Sequence, residues 1–116
     1  MKKVIILMLM ASSLLLAKGS NDILEDRIEN ELVTRKIIQL SNYKIDYDID
    51  ASTNQINIEV EFEGIKEPKV NFDDITSKLL RVSKEIAPEI NDIYIVIKYD
   101  PMIGEGKVLF SKSYRR

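Results

Sequence analysis

Two evenly spaced sets of carboxylates are the residues of this chain best suited to chemistry. Their six side chains are those of Asp46, Asp48, Asp50, Glu59, Glu61 and Glu63. Successive side chains of a β-strand point to opposite faces of a sheet, so each set falls on one face of a strand. The apolar residues between the carboxylates, from Tyr43 to Ile49 and from Ile56 to Phe62, fall on the other face. The pattern predicts a half-buried hairpin with an acidic face, the name used below for these six residues.

The acidic face needs compensation, because like charges that face each other across strands destabilise a sheet. The basic residues of the C-terminal strands supply it if those strands lie beside the hairpin; they are Lys98, Lys107, Lys112, Arg115 and Arg116. The other interpretation is an external basic protein, attracted and oriented by the acidic charge. We therefore name the acidic face as the candidate partner-binding site and keep both interpretations.

A calcium site is a second hypothesis for the same residues. The spacing from Asp46 to Asp50 resembles the start of an EF-hand loop, which binds calcium through carboxylate oxygens. The remainder of that loop differs, since Ala51 stands where a glycine is needed and Asn57 where a bidentate glutamate belongs. The alternative that remains is a cation site at the hairpin tip, formed by Asp48, Asp50 and Asn54.

The residue types argue against catalysis. The chain has no cysteine and no histidine, which removes thiolate and imidazole chemistry. A catalytic carboxylic acid needs surroundings that raise its pKa, usually a pocket, and a solvated strand face offers none. The segment from Gly104 to Lys107 is too short for a phosphate-binding loop and precedes a strand, so we interpret it as a hairpin turn. We predict a non-enzyme with no catalytic residues and no cofactor.

The first residues predict export. Lys2 and Lys3 precede an apolar run from Val4 to Ala17, as in a secretory signal peptide of bacterial type. We place cleavage after Gly19, with cleavage after Ala17 or an uncleaved anchor as alternatives. The apolar run is shorter than the roughly 20 residues that span a bilayer, so we expect no stable membrane insertion after cleavage. The prediction is a signal peptide over residues 1–19 and a single domain over residues 20–116, located in the periplasm or outside the cell.

The mature chain is acidic and contains no disulfide. Loss of Lys2, Lys3 and Lys18 leaves 14 basic residues against 19 acidic ones, a net charge of −5. This balance argues against nucleic acid or anionic lipid as the main partner. Without cysteine, the stability of the exported domain must come from its hydrophobic core.

The first mature element is a predicted helix from Asp22 to Leu40. Asp22 and Glu25 have the spacing of a capping box, in which two side chains satisfy the free backbone N–H groups of a helix start. The apolar stripe shifts after Val33, so the helix either continues to Leu40 or ends near Arg35. We favour the longer helix.

The second half of the chain repeats the order of helix and hairpin. Asn71 is a suitable N-cap for a helix from Phe72 to Ala87, whose apolar residues recur every three or four positions. Pro88 ends that helix, because proline cannot continue it. The apolar run from Ile93 to Ile97 predicts a central strand covered on both faces, and residues from Lys107 to Tyr114 predict a fourth strand.

The predicted order is therefore α-β-β-α-β-β. Two amphipathic helices packed on one face of a four-stranded, mainly antiparallel sheet would bury every apolar stripe, which makes the fold class α+β. The first five elements resemble the α-β-β-α-β order of BON domains, and Gly64 matches their glycine after the second strand. The linker before the second helix is longer here and no second glycine matches, so the resemblance ends there.

These features favour a small exported domain that binds a protein partner through its acidic face, for example an inhibitor or immunity-type protein. The alternatives are a cation- or small-ligand-binding envelope protein, and an envelope component that associates with itself by strand-edge pairing.

Overall fold

The described part of the chain, residues 22–115 of a computed structural model, forms two helices and one four-stranded sheet. The predicted signal peptide lies outside these residues. The elements are α1 (residues 22–34), β1 (Lys44–Ala51), β2 (Gln55–Gly64), α2 (Phe72–Ile86), β3 (Asp92–Pro101) and β4 (Lys107–Arg115). The α+β class and the α-β-β-α-β-β order are confirmed.

The strands lie in the sheet in the order of the chain, β1-β2-β3-β4. Each hairpin is antiparallel, while β2 and β3 run parallel at the centre of the sheet. A parallel pair needs a crossover connection, and α2 supplies it. The sheet is therefore mixed. Two of its three strand pairs are antiparallel, which agrees with the prediction of a mainly antiparallel sheet.

One hydrophobic core lies between the helices and the inner face of the sheet. Alternate residues of β2, from Ile56 to Phe62, are fully buried. Ile28 and Leu32 of α1 and Leu79 of α2 belong to the same buried cluster. Both helices therefore cover one face of the sheet, and within residues 22–115 no element covers the other face.

The burial of β3 corrects one prediction. The strand is central, as expected, but it is not covered on both faces. Ile93, Ile95 and Ile97 are buried under the helices, while Tyr94 and Val96 on the outer face are half-buried. The prediction from the apolar run was wrong because β-branched and aromatic residues also suit a strand with one partly exposed face.

The first helix also ends earlier than predicted, at residue 34 instead of Leu40. The backbone turns at Arg35 and Lys36, and Lys36 has a left-handed φ of 51°. The Arg35 guanidinium binds the carboxylates of Glu31 and Glu85, which connects the end of α1 to α2. Ile37, Ile38 and Leu40 then pack on the core in a non-helical segment. Their positions therefore do not follow the helical spacing of the apolar residues in α1.

The second helix begins as predicted. The Asn71 side chain accepts a hydrogen bond from the Asp74 backbone N–H at 3.0 Å, which is the N-cap arrangement. The helix ends at Ile86, one residue before the predicted end, with Ala87 as its C-cap and Pro88 next in the chain.

One buried hydrogen bond joins α1 to the tip of the first hairpin. Glu25 is 8% exposed, and its Oε2 accepts a hydrogen bond of 2.8 Å from the backbone N–H of Ala51, the last residue of β1. Burial of a polar group is costly unless it is hydrogen-bonded, so each partner depends on the other.

The substitution Glu25→Ala should therefore lower the free energy of unfolding by about 1–3 kcal/mol, because it leaves the Ala51 N–H without this acceptor. Urea unfolding at pH 7 measures the loss. Glu25→Gln is the matched control, since it keeps an oxygen acceptor and should lose less. Equal losses in both variants would show that the charge of Glu25, and not this hydrogen bond, matters.

Candidate functional site

The outer face of the sheet carries all six residues of the acidic face. The register of the hairpin places Asp46 directly opposite Glu61, and Asp48 directly opposite Glu59. The aspartates of β1 are exposed and the glutamates of β2 are half-buried. The predicted alternation therefore brings like charges face to face on two neighbouring strands, an arrangement that costs stability.

Lys98 provides internal compensation from β3. Its Nζ lies 3.0 Å from Oε1 of Glu59, and its register partner on β2 is Glu61. The hydrogen bond with Glu59 raises the pKa of Lys98, so the lysine stays charged. This part of the internal-balance interpretation agrees with the structure.

The other predicted basic residues lie elsewhere. Lys107 forms an ion pair with Glu67 of the linker. The Arg115 Nε lies 3.7 Å from Oδ1 of Asp92. Lys112 is opposite the buried Ile95, on the helix side of the sheet. Arg116 is outside the described residues. Within residues 22–115, compensation of the acidic face by the predicted cations is therefore partial.

Asp100 belongs to this site although the sequence did not indicate it. The parallel register of β2 and β3 places Asp100 directly beside Glu63. Local periodicity does not reveal which strands are neighbours, so it could not place Asp100 beside Glu63. Only the parallel pairing of β2 with β3 places Asp100 at this site, and that pairing joins segments that are distant in the sequence.

Glu61 shows the electrostatic result of this arrangement. Its partial burial is the main cause that raises its pKa above the usual value. The carboxylates of Asp100, Glu59 and Asp46 raise the pKa further, and Lys98 acts in the opposite direction. Negative charge thus exceeds positive charge around the centre of the acidic face.

The structure brings together a different set of carboxylates from the predicted cation site. Oxygens of Asp46, Glu61 and Glu63 all lie within 4.8 Å of one another. Calcium binds oxygen ligands of this kind, although exposed acidic groups often lie close together without an ion. The predicted set at the hairpin tip, Asp48, Asp50 and Asn54, stays a prediction.

Four open grooves among residues 22–115 have no acidic-face residue in their lining. An open groove of about 460 Å³ separates residues 36–40 from the start of α2. Three charged residues line it, Lys36, Asp74 and Lys78, and the last two form an ion pair of 3.1 Å one helical turn apart. This is a common arrangement on a solvated helix.

No helix within residues 22–115 has the length and apolar character that crossing a bilayer requires. Comparison of the chain with protein-family models and with curated protein sequences finds no match. The function is therefore argued from the site itself.

The substitution Glu61→Gln should stabilise the protein at pH 7 by about 0.2–1 kcal/mol, because it removes one of two facing carboxylates. A carboxyl group whose pKa is higher in the folded state favours folding when protonated, and this advantage is lost as the pH rises through that pKa. The stabilisation should therefore shrink when urea unfolding is measured below the ordinary pKa of 4.5.

Glu59→Gln is the control on the same strand and face. It removes the ion pair with Lys98 together with the charge, so we expect no comparable gain in stability. A gain of the same size in both variants would show that net charge, and not the surroundings of Glu61, sets the effect.

Proposed function

We propose that the chain is an exported, non-catalytic interaction domain that docks a basic protein partner through its acidic face. The observation that supports this most directly is the facing pair Asp46 and Glu61, with Glu63 close to both. Three carboxylates within such a distance repel one another, and a partner that brings lysine or arginine to them would relieve the repulsion.

The acidic face suits recognition better than tight anchoring. Its β1 carboxylates are exposed to solvent, where a charge pair contributes little affinity but accelerates and orients the encounter. The outer surface of the sheet gives a partner regularly spaced carboxylate acceptors. An inhibitor or immunity-type protein that covers a basic enzyme is one role that needs such a surface.

Export supports a partner in the periplasm or outside the cell. The basic start and short apolar run of residues 1–19 have the pattern of a signal peptide. The mature chain then carries its negative charge into the compartment where the partner is met.

The decisive variant neutralises Asp46, Asp48, Glu59 and Glu61 to their amides. The mature protein, residues 20–116, and this variant are used side by side as baits in an envelope extract of the natural source. A partner that binds the parent is then purified, and its affinity for both proteins is measured. We expect the association rate constant, and with it the affinity, to fall in the variant and in the parent at high salt, since several exposed charges together accelerate the encounter and salt screens them.

The matched control neutralises four acidic residues away from the acidic face: Asp22, Asp26, Asp73 and Glu89. It makes the same change in net charge, so it should keep the partner if the position of the charges matters. Equal affinity of the parent and the acidic-face variant, both folded by thermal melting, would contradict the proposal. Equal loss in both variants would reduce the effect to net charge.

Cation binding is the alternative that the grouping of Asp46, Glu61 and Glu63 favours. The docking function predicts that millimolar calcium changes the melting temperature no more than sodium chloride of equal ionic strength. A calcium-specific rise in melting temperature that disappears in Glu61→Gln would favour the alternative. Isothermal titration with calcium chloride provides the second measurement.

A further inference from the structure

Three large apolar side chains are exposed at one end of the sheet. Ile65 is 85% exposed, Met102 is 72% exposed and Ile103 is 93% exposed. We call these residues the apolar tip. Single exposed apolar residues are ordinary on a protein surface, but a group of them bordered by charge is typical of an interaction site.

The parallel pairing of β2 and β3 brings the three residues to the same place. Gly64 and Pro101, the last residues of the two strands, are register partners. Ile65 directly follows Gly64, and Met102 with Ile103 directly follows Pro101. The two chain segments therefore leave the sheet side by side.

Two tyrosine hydrogen bonds hold the first segment at this end of the sheet. The Tyr43 hydroxyl donates to the carbonyl oxygen of Lys66 at 2.6 Å, and the Tyr99 hydroxyl donates to that of Gly64 at 3.2 Å. The backbone on both sides of Ile65 is thus fixed. Exposure of Ile65 follows from these contacts and does not require a loose segment.

Glycine and an ion pair shape the surroundings of the tip. A side chain at position 64 would begin 2.5 Å from the Tyr43 ring, so glycine allows the ring to approach the strand. Gly104 adopts a φ of +101°, which turns the chain back after Ile103. The ion pair between Glu67 and Lys107 connects the linker to the start of β4.

The apolar tip adjoins the end of the acidic face that carries Glu63, which lies between Lys44 of β1 and Asp100 of β3. Asp100 precedes Pro101, and its register partner Glu63 precedes Gly64. Glu63 in turn lies within the group formed with Asp46 and Glu61. Apolar side chains are therefore presented at the border of a carboxylate cluster, directly after the ends of two paired strands.

We propose that Ile65, Met102 and Ile103 insert into an apolar pocket on a protein partner, and that lysine or arginine side chains rim this pocket. The inference deepens the proposed function, because it uses the same partner and adds the anchor of the contact. In such interfaces a few apolar side chains in desolvated pockets provide most of the affinity, and the charged rim provides orientation.

The negative charge beside the apolar tip favours a protein pocket with a basic rim over an anionic membrane or a second copy of the chain. An anionic membrane would be repelled by Asp100, Glu63 and their neighbours, although methionine and isoleucine alone would suit insertion. A second copy of the chain, docked tip to tip, would bring two carboxylate clusters together. A pocket with a basic rim would bury the apolar tip and pair its lysine or arginine side chains with the neighbouring carboxylates.

The test places the photo-cross-linking residue p-benzoylphenylalanine at position 103 of the full chain, expressed in its natural source. The matched control places it at position 23. Ile23 is 63% exposed and lines a groove with Ser52 and Thr53 of the hairpin tip, at the opposite end of the sheet. We expect position 103, and not position 23, to form an adduct with one protein, on residues that line an apolar pocket with lysine or arginine at its rim.

The cross-linked partner is then purified for affinity measurements. The double substitution Met102→Ser and Ile103→Ser should weaken binding by about tenfold or more, while Ile23→Ser should leave it unchanged. Both sets of residues are exposed, so the variants are expected to melt like the parent, and melting curves verify this.

Several outcomes would overturn the inference. An adduct with lipid, or binding of the parent to vesicles of phosphatidylglycerol and phosphatidylethanolamine that the double substitution abolishes, would identify a membrane contact. An adduct with a second copy of the chain would identify self-association. A partner lost on neutralising the acidic face but kept by the double substitution would refute the apolar anchor and leave the proposed function intact.

Discussion

The parallel pairing of β2 with β3 is the constraint on which the rest of the structure depends. Their buried isoleucines form the centre of the core, and the pairing requires a crossover that places α2 on one face. With α1 packed on the same core, no helix or strand within residues 22–115 covers the opposite face. The pairing also fixes which strand ends are neighbours, so that Asp100 meets Glu63 and two loops emerge together.

The alternating pattern of the first hairpin stabilises the inner face of the sheet and destabilises its outer face. Strict alternation gives β2 a fully buried inner face, which favours folding. The same alternation aligns carboxylates across the strands, which opposes folding, and Lys98 offsets this at Glu59. Partial burial of Glu61 increases the cost of its charge. Such a local conflict between stability and surface chemistry is common where a surface serves recognition.

The parts of the fold that were predictable from sequence are those specified by local patterns. Alternation identified the hairpin, and the spacing of apolar residues after Asn71 identified α2 with its cap. The end of α1 was not predictable in this way, because residues 37–40 are apolar for packing reasons unrelated to helical periodicity. Strand order was equally inaccessible, and with it the position of Asp100, because both depend on pairing between distant segments. The six residues of the acidic face were found because they lie within one hairpin.

The hydrogen bond from Ala51 to Glu25 has a consequence for the edge of the sheet. Ala51 lies opposite Ile56 on an edge strand, and its N–H points away from β2 toward the helix. A helix carboxylate thus occupies a donor that another strand would need in order to extend the sheet. At the other edge, a bulge between Ile97 and Lys98 interrupts the regular pairing of β3 with β4. Both edges of the sheet therefore have features that hinder pairing with a strand of another copy of the chain.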